Sequence, residues 1–363
     1  MRFYLLSLLL VCSLATSAQK KGYEAVDSLM QSVTADNGFS GVVLIAEKGK
    51  VRYEKAFGYR SFATQQPLQT TDIFEIASVS KQFTTMIIMM LEEKGALQFD
   101  DPVEKYLTLP YKGITIRHLL THTSGLPDYL QVMDQHWDKS KVAGNDDIIS
   151  YLNTYAPPVL FQPGDKYQYS NTGYVLLASI AEKAGKEDFI TQCRKKIFRK
   201  LGMKSTDIRT AAEKALLPNL AYGHIYVPAK GTYVSADSFP AFNYTIWLGN
   251  RKGPGRISST VQDLLRWDRA LYTRKLVKQE TLQQAFTPMK LNDGKISNYG
   301  FGWVIAGNPV AGKVVQHNGD NPGYKTEIIR FIDLDRTIIV LTNNAPEKFG
   351  DITASLKKIV SAL

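Results

Sequence analysis

The segment Ser78-Val79-Ser80-Lys81 sets a serine hydroxyl and a lysine amine three positions apart. On a helix, positions i and i+3 share a face, so the two side chains would meet. A lysine withdrawn from water loses affinity for its proton and can accept one from a neighbouring hydroxyl. The chemistry open to such a pair is attack by the serine oxygen on an acyl carbonyl. Spacing alone selects little, because Ser17 to Lys20 and Ser355 to Lys358 repeat it, and an isolated Ser-x-x-Lys reads as a helix cap followed by a surface lysine. Context separates the three. Ser78 opens the most apolar helical stretch of the chain, Gln82 to Leu91, where a helix start would offer free N–H groups and positive dipole.

Two further groups follow in order. Tyr169-Ser170-Asn171 lies just after the turn-forming Pro163-Gly164 and just before a helical pattern, where a phenol can project into a cleft. A Tyr169 phenolate near a lysine is expected to act as a base, with Asn171 orienting the Lys81 amine and a substrate amide. His317-Asn318-Gly319 ends a strand-like run, and Gly319 would let a substrate backbone approach and pair along the strand edge. The backbone N–H groups of Ser78 and Asp320 would then receive the developing oxyanion.

These residues need a scaffold. Lys20 to Asp36 reads as an amphipathic helix, and Gly41 to Ala46 and Val51 to Gly58 as a hairpin turning at Lys48-Gly49-Lys50. Near the other end, Tyr299 to Ile305, Lys313 to Gln316, Thr326 to Ile332 and Thr337 to Leu341 read as strands, and Ile352 to Leu363 as a closing helix. Between them, Ser80 to Gly95, Asp146 to Tyr155, Asn171 to Gly185 and Ser259 to Tyr272 carry helical periods. The expected fold class is α+β: one antiparallel sheet built from both chain ends, flanked by helices, with a mostly helical region inserted. The corresponding division is a leader over 1–18, a sheet part over 19–75 and 291–363, and an inserted part over 76–290.

Composition bounds the rest. The 363 residues are 44% hydrophobic and 21% charged, which suits an ordinary folded enzyme-sized chain. Arg2 followed by an apolar run to Ala15 and small residues at 16–18 reads as an export signal cut before Gln19, too short to span a bilayer. Cleavage there removes Arg2 and Cys12, taking the formal charge from +10 to +9 and leaving Cys193 without an intrachain partner. The basic residues are scattered, so nucleic acid is not an expected partner. His118 and His122 have the spacing of a metal pair but lack a third ligand; helix-end packing and turn hydrogen bonds are expected of them, and no metal or other cofactor. No serine stands in Gly-x-Ser-x-Gly, which sets aside the α/β-hydrolase arrangement. Tyr222, Tyr244, Trp247, Tyr299 and Trp303 are read as packing residues, with Tyr222 and Trp303 close to the site.

Ser-x-x-Lys, Tyr-x-Asn and a late His-x-Gly, in that order, resemble class C β-lactamases, D-alanyl-D-alanine carboxypeptidases and related esterases. Connecting segments agree, including Leu119 to Leu126, Leu201-Gly202-Met203, Ile257 to Trp267 and Tyr299 to Trp303. The resemblance implies a β-lactamase/transpeptidase-like fold, catalytic Ser78, Lys81 and Tyr169, and substrate contacts at Asn171, His317, Gly319 and Asp320. It implies an exported serine hydrolase acting on a small or peptide substrate, cell-wall peptides included, through an acyl-enzyme on a D-amino-acid peptide, β-lactam or short ester. The different-class alternative is a non-hydrolytic sensor of the same fold. His317 departs from the lysine usual in class C β-lactamases and the carboxypeptidases. Being largely neutral at pH 7, it offers less charge to a substrate carboxylate, a task for which Arg256 and Lys325 are the candidates.

Overall fold

The computed structural model describes residues 23–35 and 38–363; the expected leader over 1–18 lies outside them. Residues 23–34 form helix α1. Strands β1 (Gly41–Glu47) and β2 (Lys50–Phe57) follow, joined through Lys48 and Gly49, both at positive φ. That is the backbone handedness a two-residue hairpin turn requires. Near the other end come β3 (Val304–Asn308), β4 (Gly312–Asn321), β5 (Tyr324–Phe331) and β6 (Arg336–Thr342). All pair antiparallel in the order β3-β4-β5-β6-β1-β2. The two chain ends meet at β1 and β6, where Gly41 faces Thr342 and Glu47 faces Arg336.

Period-two burial separates two cores. Val42, Leu44, Ile328, Ile339 and Leu341 face one apolar cluster that includes Phe83 and Trp267. Their neighbours Val43, Ile45, Ile329, Ile338 and Val340 face another, closed by Val26 and Met30 of α1 and by Ile352, Leu356 and Val360 of the last helix (Phe349–Ser361). Burying both faces explains why these strands are nearly continuous in Val, Ile and Leu.

The helices between the two strand groups centre on α2 (Lys81–Glu93), whose residues 81–91 are all buried. Such a helix is apolar all round because neighbours cover every side. It packs beside α3 (Asn171–Gly185), capped by the Ser170 hydroxyl accepting from the Gly173 N–H at 3.4 Å. Helix α4 (Val261–Ala270) lies between α2 and the sheet, with Trp267 Nε1 donating to Gln82 Oε1 at 2.8 Å.

Three sequence expectations move. The strand expected over Tyr299 to Ile305 begins only at Val304, because Tyr299 to Trp303 forms a buried loop that turns at Gly302, φ 76°. The strand expected to stop at Gln316 runs on to Asn321. The helix expected from Ser80 is preceded by a tight 3-10 turn, Ala77–Ser80, so Ser78 sits in that turn and makes no side-chain cap.

Candidate active site

Three segments bring the sequence-selected residues together. The 3-10 turn is anchored from both sides. Ile76 N–H donates to Ile257 O at 3.0 Å, Ile257 N–H donates to Ser80 Oγ at 3.2 Å, and Thr326 Oγ1 donates to Ile76 O at 2.9 Å. Ala77, immediately before the nucleophile candidate, is held at φ 47°, a region that alanine rarely visits and that persists only where surroundings over-determine it.

Lys81 is completely buried, and its amine has three neighbours: Ser78 Oγ at 3.0 Å, Asn171 Oδ1 at 2.8 Å and Pro254 O at 2.9 Å. Burial, followed by the charge of Arg251, drives its pKa well below the ordinary lysine range. A neutral amine has two N–H donors and one lone pair. The two carbonyl oxygens take the donors, which leaves the lone pair for the Ser78 O–H.

Tyr169 lies over this group, with the Lys81 amine 4.7 Å from its ring centroid. Although 39% of the residue is exposed, crowding of the phenol raises its pKa, against a smaller lowering by the Ser78 hydroxyl. The open edge of the ring tempers that shift without reversing it. Burial thus works against the Tyr169 phenolate expected from the sequence, while it lowers the proton affinity of the Lys81 amine beside Ser78 Oγ.

His317 differs from expectation in its surroundings. It is 2% exposed, with Nε2 2.8 Å from the Tyr299 hydroxyl and Nδ1 2.6 Å from Asn318 O. The carbonyl can only accept, so Nδ1 carries the proton and Nε2 accepts from Tyr299. Burial, then the nearby Lys81, pulls its pKa down to about 3. It is a neutral, internally bonded ring and holds no charge for a carboxylate. Of the two cations offered as substitutes, Lys325 donates to Pro346 O at 3.2 Å, whereas Arg256 lines a cavity with Glu75 and Asn321.

Gly319 presses β4 against that turn. A Cβ there would stand 2.5 Å from both Ile76 O and Thr326 Oγ1, distances no side chain tolerates. The next residue, Asp320, is exposed at the strand edge.

Sequence reasoning undervalued several residues. His122 is buried at φ 58°, accepts from the Ser170 N–H at 3.0 Å and stacks against Tyr169 with ring centroids 4.2 Å apart, thereby fixing the Tyr169 loop. Its Thr-His-Thr setting gave only a turn signal. Tyr299, read as packing, donates its hydroxyl to His317 Nε2 at 2.8 Å. Pro254 acts through a backbone carbonyl, which leaves no side-chain signature. Trp247 and Trp303 are both core residues, and Tyr222 borders the cavity. His118 closes a capping box with Thr115, and among the described residues no acidic, His or Cys group is arranged to hold a metal.

A half-buried serine hydroxyl against a buried lysine amine, set between a helical region and an antiparallel sheet, is the arrangement expected of the serine β-lactamase-related class. The family described as Beta-lactamase matches residues 26–360, and the chain belongs to that family. It is 41% identical over 322 residues to penicillin-binding protein 4* of Bacillus subtilis, covering 88% of this chain and 71% of that one. A D-aminopeptidase of Gluconobacter oxydans is 24% identical over 85% of this chain and 56% of its own length. The octameric penicillin-binding protein homologue from Pyrococcus abyssi superposes with a TM-score of 0.80 at 27% identity, covering 94% of this chain and 77% of that one. The β-lactamase/transpeptidase-like α+β fold and the family resemblance read from the motifs both hold. Among the described residues no helix is long and apolar enough to cross a membrane.

Proposed function

We propose that the protein is an exported serine hydrolase working through a Ser78 acyl-enzyme on an amide or ester, within the range of D-amino-acid peptides, β-lactams and short acyl esters. The observation that carries this reading is the buried Lys81 amine, placed between Ser78 Oγ, Asn171 Oδ1 and Pro254 O. Lys81 takes the Ser78 proton as Oγ bonds to the carbonyl carbon, and the backbone N–H groups of Ser78 and Asp320 receive the oxyanion. Collapse breaks the bond to the leaving group, which takes its proton from the Lys81 ammonium through the Tyr169 hydroxyl. Water, losing a proton along the same route, then hydrolyses the ester at Ser78. Asn171 holds the amine, and Gly319, in place of the substrate approach expected of it, lets β4 close against the nucleophile turn. Export is supported by the charged and apolar character of residues 1–18, and a mature chain beginning at Gln19 is expected on N-terminal sequencing.

The test uses an activated ester and a fluorescent penicillin, with the labelled peptide found by mass spectrometry. Turnover of the ester with an acyl adduct on Ser78, and loss of both in Ser78→Ala, is the expected result. Near-normal turnover by Ser78→Ala would sink the assignment. Permanent labelling of Ser78 without release would favour the penicillin-sensing alternative, a reading kept open by the name of the Bacillus relative.

A further inference from the structure

A cavity of about 210 Å3 is walled in part by residues that continue the site's own segments. Glu75 stands three residues before Ser78, and Asn321 two residues beyond Gly319. Arg251 and Arg256 flank Pro254, whose carbonyl holds Lys81. Both arginines are more than nine-tenths buried, at 8% and 7% exposure. Arg251 bonds the Tyr129 hydroxyl and Arg256 Nη2 donates to Arg209 O at 2.6 Å, yet Arg251 Nε and Arg256 Nη1 have no hydrogen-bond partner. Buried donors are rarely left so. Arg256 is also held at φ 77°, a conformation suited to glycine, so a long charged residue is kept there against backbone preference.

Glu75 offsets part of the Arg256 charge but bonds neither unpartnered donor. Glu75 already receives Lys214 and the Asn321 amide. Arg251, Arg256 and Lys214 outnumber Glu75 and Asp237 by three to two. Guanidinium donors are matched best by a planar carboxylate. Position supplies the orientation. Tyr169, which hands the proton to the leaving group, sits with His122, Tyr299 and His317. The arginine cavity instead adjoins Asn321, at the opposite end of the β4 segment that passes the nucleophile.

We propose that this cavity is an acyl-side carboxylate subsite, in which Arg251 and Arg256 receive an anionic group carried by the acyl half of the substrate. The inference rests on the acyl-transfer reading above and narrows its substrate to acyl groups bearing a carboxylate a few bonds from the scissile carbonyl.

The test compares phenyl esters of glutaric acid and of pentanoic acid, alike except for the terminal carboxylate, with meta-carboxyphenyl acetate as the leaving-group control. Wild type is expected to prefer the glutaryl ester. Arg256→Gly, which the backbone conformation favours, should fold normally while its glutaryl-to-pentanoyl ratio of kcat/KM falls about tenfold or more, the scale of a lost charge-assisted contact. No wild-type preference, a ratio unchanged within twofold, or a loss confined to the carboxyphenyl ester would overturn the proposal. If wild type turns over no ester, the acyl-transfer reading fails on that ground. Glutarate binding, followed by thermal shift in Ser78→Ala and in Ser78→Ala/Arg256→Gly, then decides the subsite alone. Protection of only the former supports it, and equal or absent protection overturns it.

Discussion

Lys81 concentrates the cost of the site in one residue. Between its depressed pKa and the ordinary lysine range, the unfolded chain binds a proton at Lys81 that the folded chain does not. Its contribution to stability therefore rises with pH across that window and is fully present only above the ordinary lysine value. Under the proposed acyl transfer the amine must be unprotonated to accept the Ser78 proton, so rate is expected to be lost as pH falls through the depressed pKa. Lys81→Met removes the titrating group while keeping an unbranched side chain. It should abolish turnover and raise the unfolding free energy near pH 7 by about 0.5–2 kcal/mol, the range seen when functional destabilisation is relieved. The gain should shrink as pH approaches 10. Calorimetry at pH 7 and pH 10 checks this, and a variant less stable than wild type at both would contradict it.

Elements place these residues through backbone contacts as much as through side chains. The pairing of β4 with β5 carries Gly319 opposite Thr326, whose hydroxyl reaches Ile76 O. A methyl group at 319 would intrude on that junction. Gly319→Ala is expected to cost about 1–3 kcal/mol of stability by overpacking. Displacing the nucleophile turn should lower kcat/KM by about 100-fold, as misplacements near 1 Å do. Gly307→Ala on β3, where a Cβ meets nothing within 4 Å, serves as the neutral comparison in urea unfolding and ester kinetics. The contrast also marks what the sequence can express. Ser78, Lys81 and the helix from Asn171 to Gly185 were readable because side-chain type and apolar period carry them. The Pro254 carbonyl, the left-handed Ala77 and the crowded Tyr169 phenol were not, since tertiary contacts create them and no residue pattern encodes them. Tyr299 to Trp303 looked like strand for the same reason: its aromatic residues are buried by a loop that only the assembled site requires.

At the scale of the whole molecule, the sheet made from the chain ends must be fastened to the helical region it encloses. Arg330 on β5 and Asp268 on α4 form a buried ion pair, with Arg330 Nε 2.6 Å from Asp268 Oδ1 and both side chains 1% exposed. Thr337 Oγ1 on β6 donates to the same oxygen at 2.7 Å, so one carboxylate ties α4 to two strands. Arg330 Nη2 donates to Asp268 O at 3.3 Å, and its guanidinium lies 4.7 Å from the Tyr272 ring centroid. Desolvating both charges consumes much of their attraction, so the pair adds little net stability over an apolar packing, whereas removing one member leaves the other charge stranded. Asp268→Ala is accordingly expected to lower the unfolding free energy by about 3–5 kcal/mol. The double change Asp268→Leu/Arg330→Met should recover most of that loss, as read by urea midpoints at constant slope. A double variant as unstable as Asp268→Ala would show that the ion pair itself, rather than the avoidance of a lone buried charge, holds the helical region to the sheet.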